Sequence, residues 1–340
     1  MNAPPLDVVL SQFHATAPTY DGGMSNHGPM VVEALEAAGL EGHAAAFAEL
    51  ALETLEPLNG GACGSLELGD LQEAGWIEHY RARIAVSSVE DVVREALPTL
   101  LPGAMAGATH GLIRLSHAVR GWTRAPSEVR AEEVAHALGY WASAYQTLPG
   151  NVGSAPSVEL RTVMATLPGL TDEERSSAGM IFDRVRAVDG VQRFADAVAS
   201  VDLRDLSTSD FISEMVGIAA RMMLTSRGSG FAYLHAITAT SAVRSLLPFI
   251  DAGSELAVRH AVFHCVAALH AAHGGSDAWL SWEAPASLPD AQTLPLEAAR
   301  SQGDHAIKLA VTVADEVSRR PDPALLCAAQ AEIDRSLAIA

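Results

Sequence analysis

Ala104-Met105-Ala106-Gly107-Ala108-Thr109-His110-Gly111-Leu112-Ile113-Arg114-Leu115-Ser116-His117-Ala118-Val119-Arg120 is the stretch that decides the fold class. It is apolar on nearly every side, so it reads as a central helix, and its alanines and glycines let neighbouring helices approach closely. His110 and His117 lie seven residues apart. They share one helix face but stand roughly 10 Å apart along the axis, which points to separate jobs. No part of the chain shows convincing strand alternation. Apolar residues make up 49% of the sequence and aromatics 5%, with alanine, leucine and valine dominant, a balance that favours helix over sheet. The expectation is a single all-α domain over residues 1–340, with antiparallel helices around a buried pocket.

Toward the N-terminus, Ser25-Asn26-His27-Gly28-Pro29-Met30 opens an apolar run ending at Ala38. Ser25 or Asn26 suits the N-cap and Pro29 the first turn, which puts His27 at a helix start, where its side chain can face a cleft. Helices are expected over 43–54, 89–101 and 132–145, the last carrying Tyr140, Trp141 and Tyr145. Thr171-Asp172-Glu173-Glu174 has the form of a capping box. Helices over 173–186, 190–199 and 209–225 follow, the last capped by Thr208 or Ser209, and Arg227-Gly228-Ser229-Gly230 reads as a turn. A segment from Phe231 to Pro248, a long helix over 254–273 and a loop from Gly274 to Pro295 lead to the helix that holds Lys308.

A formal charge of −19 and a pI near 5.0 argue against nucleic acid or an anionic membrane as partner, since both require basic patches. Cys63, Cys265 and Cys327 are odd in number and far apart, without a metal-type CxxC, which fits a reducing compartment. The opening residues lack a basic, apolar leader and no apolar run reaches eighteen residues, so a cytoplasmic protein is expected.

Thirteen histidines are present. His43, His79 and His136 stand in charged, amphipathic surroundings and read as surface residues, as do His14 and His260. By contrast, His27, His110, His117, His235, His264, His270 and His305 sit among small or apolar residues, where a neutral imidazole needs a partner. Lys308 is the sole lysine of the 340 residues and is followed by the apolar run Leu309 to Ala314. Burial there pushes an amine's pKa down. His305 precedes it by three residues, on the same helix face. Motifs for other chemistry are missing: there is no HExxH, no GxxxxGK[ST] and no GxSxG, and the glycines at 228 and 230 lack the third glycine and the βαβ context of a dinucleotide site.

Set in order, Asn26-His27, His110-Gly111-Leu112-Ile113, His235-Ala236-Ile237-Thr238 and Asp304-His305-Ala306-Ile307-Lys308 resemble the motifs of the questin oxidase-like family. The likeness extends over roughly residues 12–315. It departs from the fungal pattern, which tends to NHxxH and HPLIHLGY, at Met30, Gly111, Arg114 and His117. The resemblance implies a helical, metal-dependent oxygenase that opens or inserts oxygen into an aromatic polyketide such as an anthraquinone. It implies His27, His110, His235 and His305 as metal ligands, with Lys308 beside them.

Fe(II) is the expected ion and molecular oxygen the co-substrate, because oxygen activation without flavin needs a redox metal or a self-oxidising substrate. A carbamate formed on Lys308 would add an anionic ligand. His117, in place of an aromatic, is expected to face the pocket as a catalytic group, and Thr238 to hold oxygen or substrate unless its hydroxyl bonds a backbone carbonyl. Tyr140, Trp141, Tyr145, Phe231 and Tyr233 are expected pocket walls or core residues. Two alternatives stand beside this reading: a metal-free oxygenase with Lys308 or His117 as general base, and a non-catalytic binder of aromatic polyketides. A need for NADPH and a homodimeric state are left open.

Overall fold

Among the described residues of the computed structural model, 6–60, 65–175, 179–226, 228 and 230–338, sixteen α-helices carry the architecture and the strands are two-residue pairs. Cys63, and Arg227 and Ser229 of the expected turn, lie outside the described residues. The first half contains α1 (Leu6–Phe13), α2 (Gly28–Ala37), α3 (Ala44–Leu52), α4 (Glu73–Val86), α5 (Val89–Leu100), α6 (His110–Arg124) and α7 (Glu128–Ser143). The second contains α8 (Leu160–Thr166), α9 (Ile181–Val185), α10 (Gln192–Ser200), α11 (Thr208–Thr225), α12 (Gly230–Leu246), α13 (Glu255–Ala272), α14 (Leu294–Ser301), α15 (Asp304–Arg319) and α16 (Pro323–Leu337). The all-α expectation holds.

Local chemistry explains most helix starts. Ser88, Ser127 and Ser207 each accept the backbone N–H three residues on, capping α5, α7 and α11. The cap of α11 is thus Ser207 rather than Thr208 or Ser209. At α2 the N-cap position is His27, not Ser25 or Asn26; Asn26 Oδ1 instead accepts the Gly28 N–H at 3.0 Å. That arrangement releases the imidazole of His27 from capping. The capping box at Thr171 and Glu174 forms, with both reciprocal bonds, but the described helix near it runs only over Ile181–Val185. The central helix begins at His110 rather than Ala104, because Gly107, Ala108 and Thr109 hold φ of +54°, +58° and +74°. Three successive left-handed residues cannot belong to a right-handed helix.

The helices that matter for function form a ring. α2 packs on α6 and α15, and α12 closes the circle by packing on the same two. Contacts advance in the same direction along each pair. Between α2 and α6, His27 meets His110, Glu33 meets His117 and Glu36 meets Arg124. Between α6 and α12, the His110 and His235 rings touch and Ser116 bonds Ser245. Between α12 and α15, His235 meets His305, while Ser241 and Arg244 bond Glu316. The ring is therefore parallel, with all its N-termini at one end. Helices adjacent in sequence are antiparallel: Arg114 pairs with Glu133 across α6 and α7, Arg244 reaches Ser209 and Ser213 across α12 and α11, and Gly303 lies against Ser336 across α15 and α16. Outer helices act as the return strokes that a parallel ring requires.

Close approach depends on small residues, as the sequence suggests. A Cβ on Gly111 would sit 2.9 Å from the Trp141 Cα, so the backbones of α6 and α7 approach closely there. Among the described residues no helix is long and apolar enough to cross a membrane.

Candidate metal centre

Parallel packing brings four histidines to the N-terminal end of the ring. His27 is the N-cap of α2, His110 the first residue of α6, His305 the second of α15, and His235 lies in the second turn of α12. The rings of His27 and His110 stack at 4.7 Å, and His305 stands edge-on to His27 at 4.5 Å. His235 borders them, 4.8 Å from the His110 ring and 5.3 Å from that of His305.

Hydrogen bonding fixes the tautomer of every one. The Nδ1 of His110 lies 2.6 Å from the Gly107 carbonyl and that of His235 lies 2.8 Å from the Phe231 carbonyl. A carbonyl only accepts, so both nitrogens carry the proton. The left-handed turn before α6 is what aims the Gly107 carbonyl. Asp304 does the same for the other two, with Oδ2 at 2.5 Å from His27 Nδ1 and Oδ1 at 2.7 Å from His305 Nδ1. Burial alone would raise the Asp304 pKa, but His27 and His305 outweigh it and hold the carboxyl well below its usual range. An ionised carboxylate likewise only accepts. All four Nδ1 atoms thus donate, which leaves each Nε2 with a free lone pair, and the donor atoms of His27, His110 and His305 converge while His235 lies beside them.

Two observations show what that convergence suits. The Nε2 atoms of His27 and His110 lie 2.8 Å apart, and the Nε2 of His305 is buried with no hydrogen-bond partner among the described residues. Two lone pairs at hydrogen-bond distance repel unless a proton or a cation lies between them. A proton is disfavoured: burial, with Lys308 adding to it, pushes His27 down to about 3, and burial with neighbouring His27 and His235 holds His110 well below its ordinary value. Converging helix N-termini disfavour imidazolium further. The donor atoms of His27, His110 and His305 lie within 4.8 Å of one another. Two metal–nitrogen bonds of about 2.1 Å span roughly 4.2 Å at most, so one ion is reached by side-chain shifts of under about 1 Å. Imidazoles locked by outer acceptors, with their other nitrogens converging, are the usual arrangement around a bound ion.

Lys308 lies beneath this layer, 2% exposed. It follows His305 by about one turn of α15, and its charge lowers the pKa of His27, His110, His235 and His117. Burial lowers its pKa to about 8, against the opposing pull of Asp304 and Glu332.

Other expected site residues fall elsewhere. His117 does not line the cavity over the histidines: its Nδ1 bonds Glu33 at 2.5 Å, and it borders separate cavities farther along the ring. Burial would raise Glu33, but Arg120, His117 and Arg124 hold it at about 2. The partner of His117 lies 84 positions away, on α2. Thr238 bonds the Leu234 carbonyl at 3.1 Å, one turn back, and also lies off the histidine cavity. Of the five aromatic wall candidates only Phe231 lines that cavity. Tyr140 shares a hydrogen bond with Ser25, Trp141 donates to the Gly103 carbonyl, Tyr145 packs on Gly103, and Tyr233 bonds His270. His136, read as a surface residue, is fully buried against His14 and Glu132.

Asp304 is the residue the sequence reading left without a role. Its signal was its place beside His305, since a ligating histidine so often donates to a carboxylate.

Protonation gives a first expected result. His27, His110 and His235 have lowered pKa values, so below about pH 6.5 the unfolded chain binds protons that the folded chain does not. Their contribution to stability is complete above the unfolded value of 6.5 and is lost as pH falls toward about 3 for His27. Chelator-treated protein is expected to lose up to about 1.4 kcal/mol per pH unit per histidine in urea unfolding below pH 6.5. A flat profile between pH 6.5 and 5 would contradict the assignment. Comparison of the sequence with protein-family models and with curated proteins found no match.

Proposed function

We propose that His27, His110, His235 and His305 hold a divalent transition metal, Fe(II) by expectation, and that the protein is an oxygenase of the questin oxidase-like type acting on a polycyclic aromatic polyketide. The observation that carries the metal reading is the set of locked Nδ1–H groups together with the convergent donor atoms of His27, His110 and His305, of which the His305 Nε2 has no partner among the described residues. When bound, such an ion supplies the one-electron chemistry toward molecular oxygen that amino-acid side chains lack. The chain supplies the rest. A cavity of about 380 Å³ opens on the histidines, walled by Met24, Ile181, Phe182 and Phe231, a size and lining suited to a flat aromatic ligand. Asp304 and the Gly107 and Phe231 carbonyls keep the imidazoles oriented.

Lys308 is buried and does not line that cavity, so its two candidate roles act from beneath the histidines. With a pKa of about 8, about a tenth of its amine is neutral at pH 7, far more than for an ordinary lysine. A neutral amine can add carbon dioxide and become a carbamate ligand, or can take the proton of a phenol as general base. The second role also serves a metal-free oxygenase, the alternative that the perturbed lysine favours.

Elemental analysis of the purified protein tests the proposal. About one equivalent of a transition metal per chain is expected, with oxygen consumption on a hydroxyanthraquinone that a strong chelator abolishes; assays with and without NADPH read out the need for a reductant. Lys308→Ala is expected to lose the metal. Full activity after chelation would select the metal-free route, and binding of the anthraquinone without oxygen uptake would leave a binder. Lys308→Ala with metal retained and activity lost would make the lysine a base rather than a ligand.

A further inference from the structure

The cavity over the histidines is lined by one hydroxyl whose hydrogen bonding is set by a buried group behind it. Ser25 lines the cavity from the short antiparallel pairing of Thr19–Tyr20 with Met24–Ser25. Its Oγ lies 2.5 Å from the phenol oxygen of Tyr140 on α7. Tyr140 is 1% exposed, and Ser25 is the only hydrogen-bond partner of its phenol among the described residues. Burial, against the effect of that hydrogen bond, pushes the phenol up to about 12, so it keeps its proton. Were Ser25 the donor, the phenol proton would be buried without an acceptor, a state that folded proteins avoid. The phenol therefore donates and Ser25 accepts. The proton of Ser25 is then left over, and no described residue accepts it.

The backbone is shaped around this pair. A Cβ on Gly107 would overlap the Tyr140 phenol oxygen and lie 3.7 Å from the Ser25 Oγ, so glycine leaves room for both beside the turn that aims its carbonyl at His110. Ser25 is held on one side by its pairing with Thr19 and on the other by the Asn26 N–H, which donates to the Pro18 carbonyl at 2.9 Å. Its hydroxyl is thus placed before any ligand arrives, which lowers the cost of binding. Nearby, Asp304 has both oxygens engaged by His27 and His305, and the walls of Met24, Ile181, Phe182 and Phe231 offer no acceptor side chain. A left-over donor in such a lining calls for an accepting oxygen on a flat apolar ligand. Resting on the aromatic-ligand reading but not on the metal, we infer that Ser25 is a specificity-determining residue whose hydroxyl donates to a ring carbonyl of the ligand, as in an aryl ketone or quinone. Tyr140 is the positioning residue behind it.

Two probes with the same ring system, 9-fluorenone and fluorene, separate the carbonyl from the ring. Each is titrated into chelator-treated protein, and the infrared spectrum of bound fluorenone reports its carbonyl stretch. The wild type is expected to bind fluorenone about 5-fold more tightly than fluorene, with the stretch at lower frequency than in an alkane. Ser25→Ala is expected to abolish both effects while changing fluorene affinity by less than about 2-fold. Tyr140→Phe is expected to keep part of each. The double variant Ser25→Ala, Tyr140→Phe leaves no orphaned phenol and gives the same readout if the single alanine variant does not fold. An unshifted stretch in the wild type, equal weakening of both probes in Ser25→Ala, or a preference that survives Ser25→Ala and is lost in Tyr20→Phe would each overturn the inference. Fluorene bound without any preference for the ketone would overturn it alone, whereas binding of neither probe would refute the aromatic-ligand reading along with it. All of this is read without metal, so a ketone preference in a protein that binds no ion would refute the metal centre and leave the role of Ser25 standing.

Discussion

Asp304→Asn is expected to lower metal affinity about 100-fold, and to do so at least as severely as Asp304→Ala. The carboxylate accepts from two imidazoles at once, His27 at 2.5 Å and His305 at 2.7 Å. An asparagine has one accepting oxygen; its amide NH₂ would face the other histidine and donate to that Nδ1. That ring must then carry its proton on Nε2, the nitrogen needed for the ion. Alanine removes both acceptors but forces neither tautomer, and because 36% of the Asp304 side chain is exposed, water can replace part of what is lost. Loss of a carboxylate that orients a single ligand typically costs 10–100-fold in affinity, and here one carboxylate orients two. Competition titration with a chromophoric chelator measures the affinities, and the ratio of the two variants is the discriminating quantity. Asparagine milder than alanine would show that the tautomers are set by something other than Asp304.

Glu133→Gln is expected to destabilise the fold by about 3–5 kcal/mol without touching His27, His110, His235 or His305. Arg114 is 1% exposed and donates to both oxygens of Glu133, through Nε at 2.8 Å and Nη2 at 3.0 Å. His14 adds a third contact at 3.2 Å. Burial would raise the Glu133 pKa, but Arg114 and His14 hold it at about 2. Because the Nη1 of Arg114 already lacks a partner among the described residues, a neutral glutamine would leave a buried guanidinium with no balancing charge beside it. The stabilising contribution of Glu133 is present above the unfolded value of 4.5 and is lost as pH falls through about 2. Urea midpoints at pH 7 measure the loss. The double variant Arg114→Met, Glu133→Leu is expected to recover most of it, since replacing both charges with apolar groups of similar bulk avoids the desolvation that the pair had to overcome. A loss of under about 1 kcal/mol in Glu133→Gln would show that the pair is hydrated.

Much of the site was legible because its parts are local. The histidines at 27, 110 and 305 stand at helix starts marked by Pro29, Gly107 and Gly303, and that at 235 follows closely on the start of α12 at Gly230. Helix punctuation and apolar runs are properties of a few neighbouring residues, so they survive in the bare sequence. Errors came where a local pattern was outvoted. Ala104 to Thr109 follows on from an apolar helical pattern, but Gly107, Ala108 and Thr109 adopt a left-handed turn that aims a carbonyl at His110. The charged surroundings of His136 suggested solvent, yet α4, which has no clean apolar stripe to announce it, covers that face: Arg81 of α4 pairs with Glu132 beside it.

Sequence by itself determined the all-α class, the apolar central helix and the residues able to carry the chemistry, because each depends on spacing within one segment. Tertiary structure alone decided that α2, α6, α12 and α15 run parallel, that the donor atoms of His27, His110 and His305 meet at one place with His235 beside them, and that Asp304 serves a histidine 277 positions away. It also assigned His117 to Glu33 rather than to the cavity. Direction and partnership between helices depend on how outer helices return the chain, and on hydrogen bonds between residues far apart in sequence, and neither leaves a periodic trace in the segment that carries the side chain.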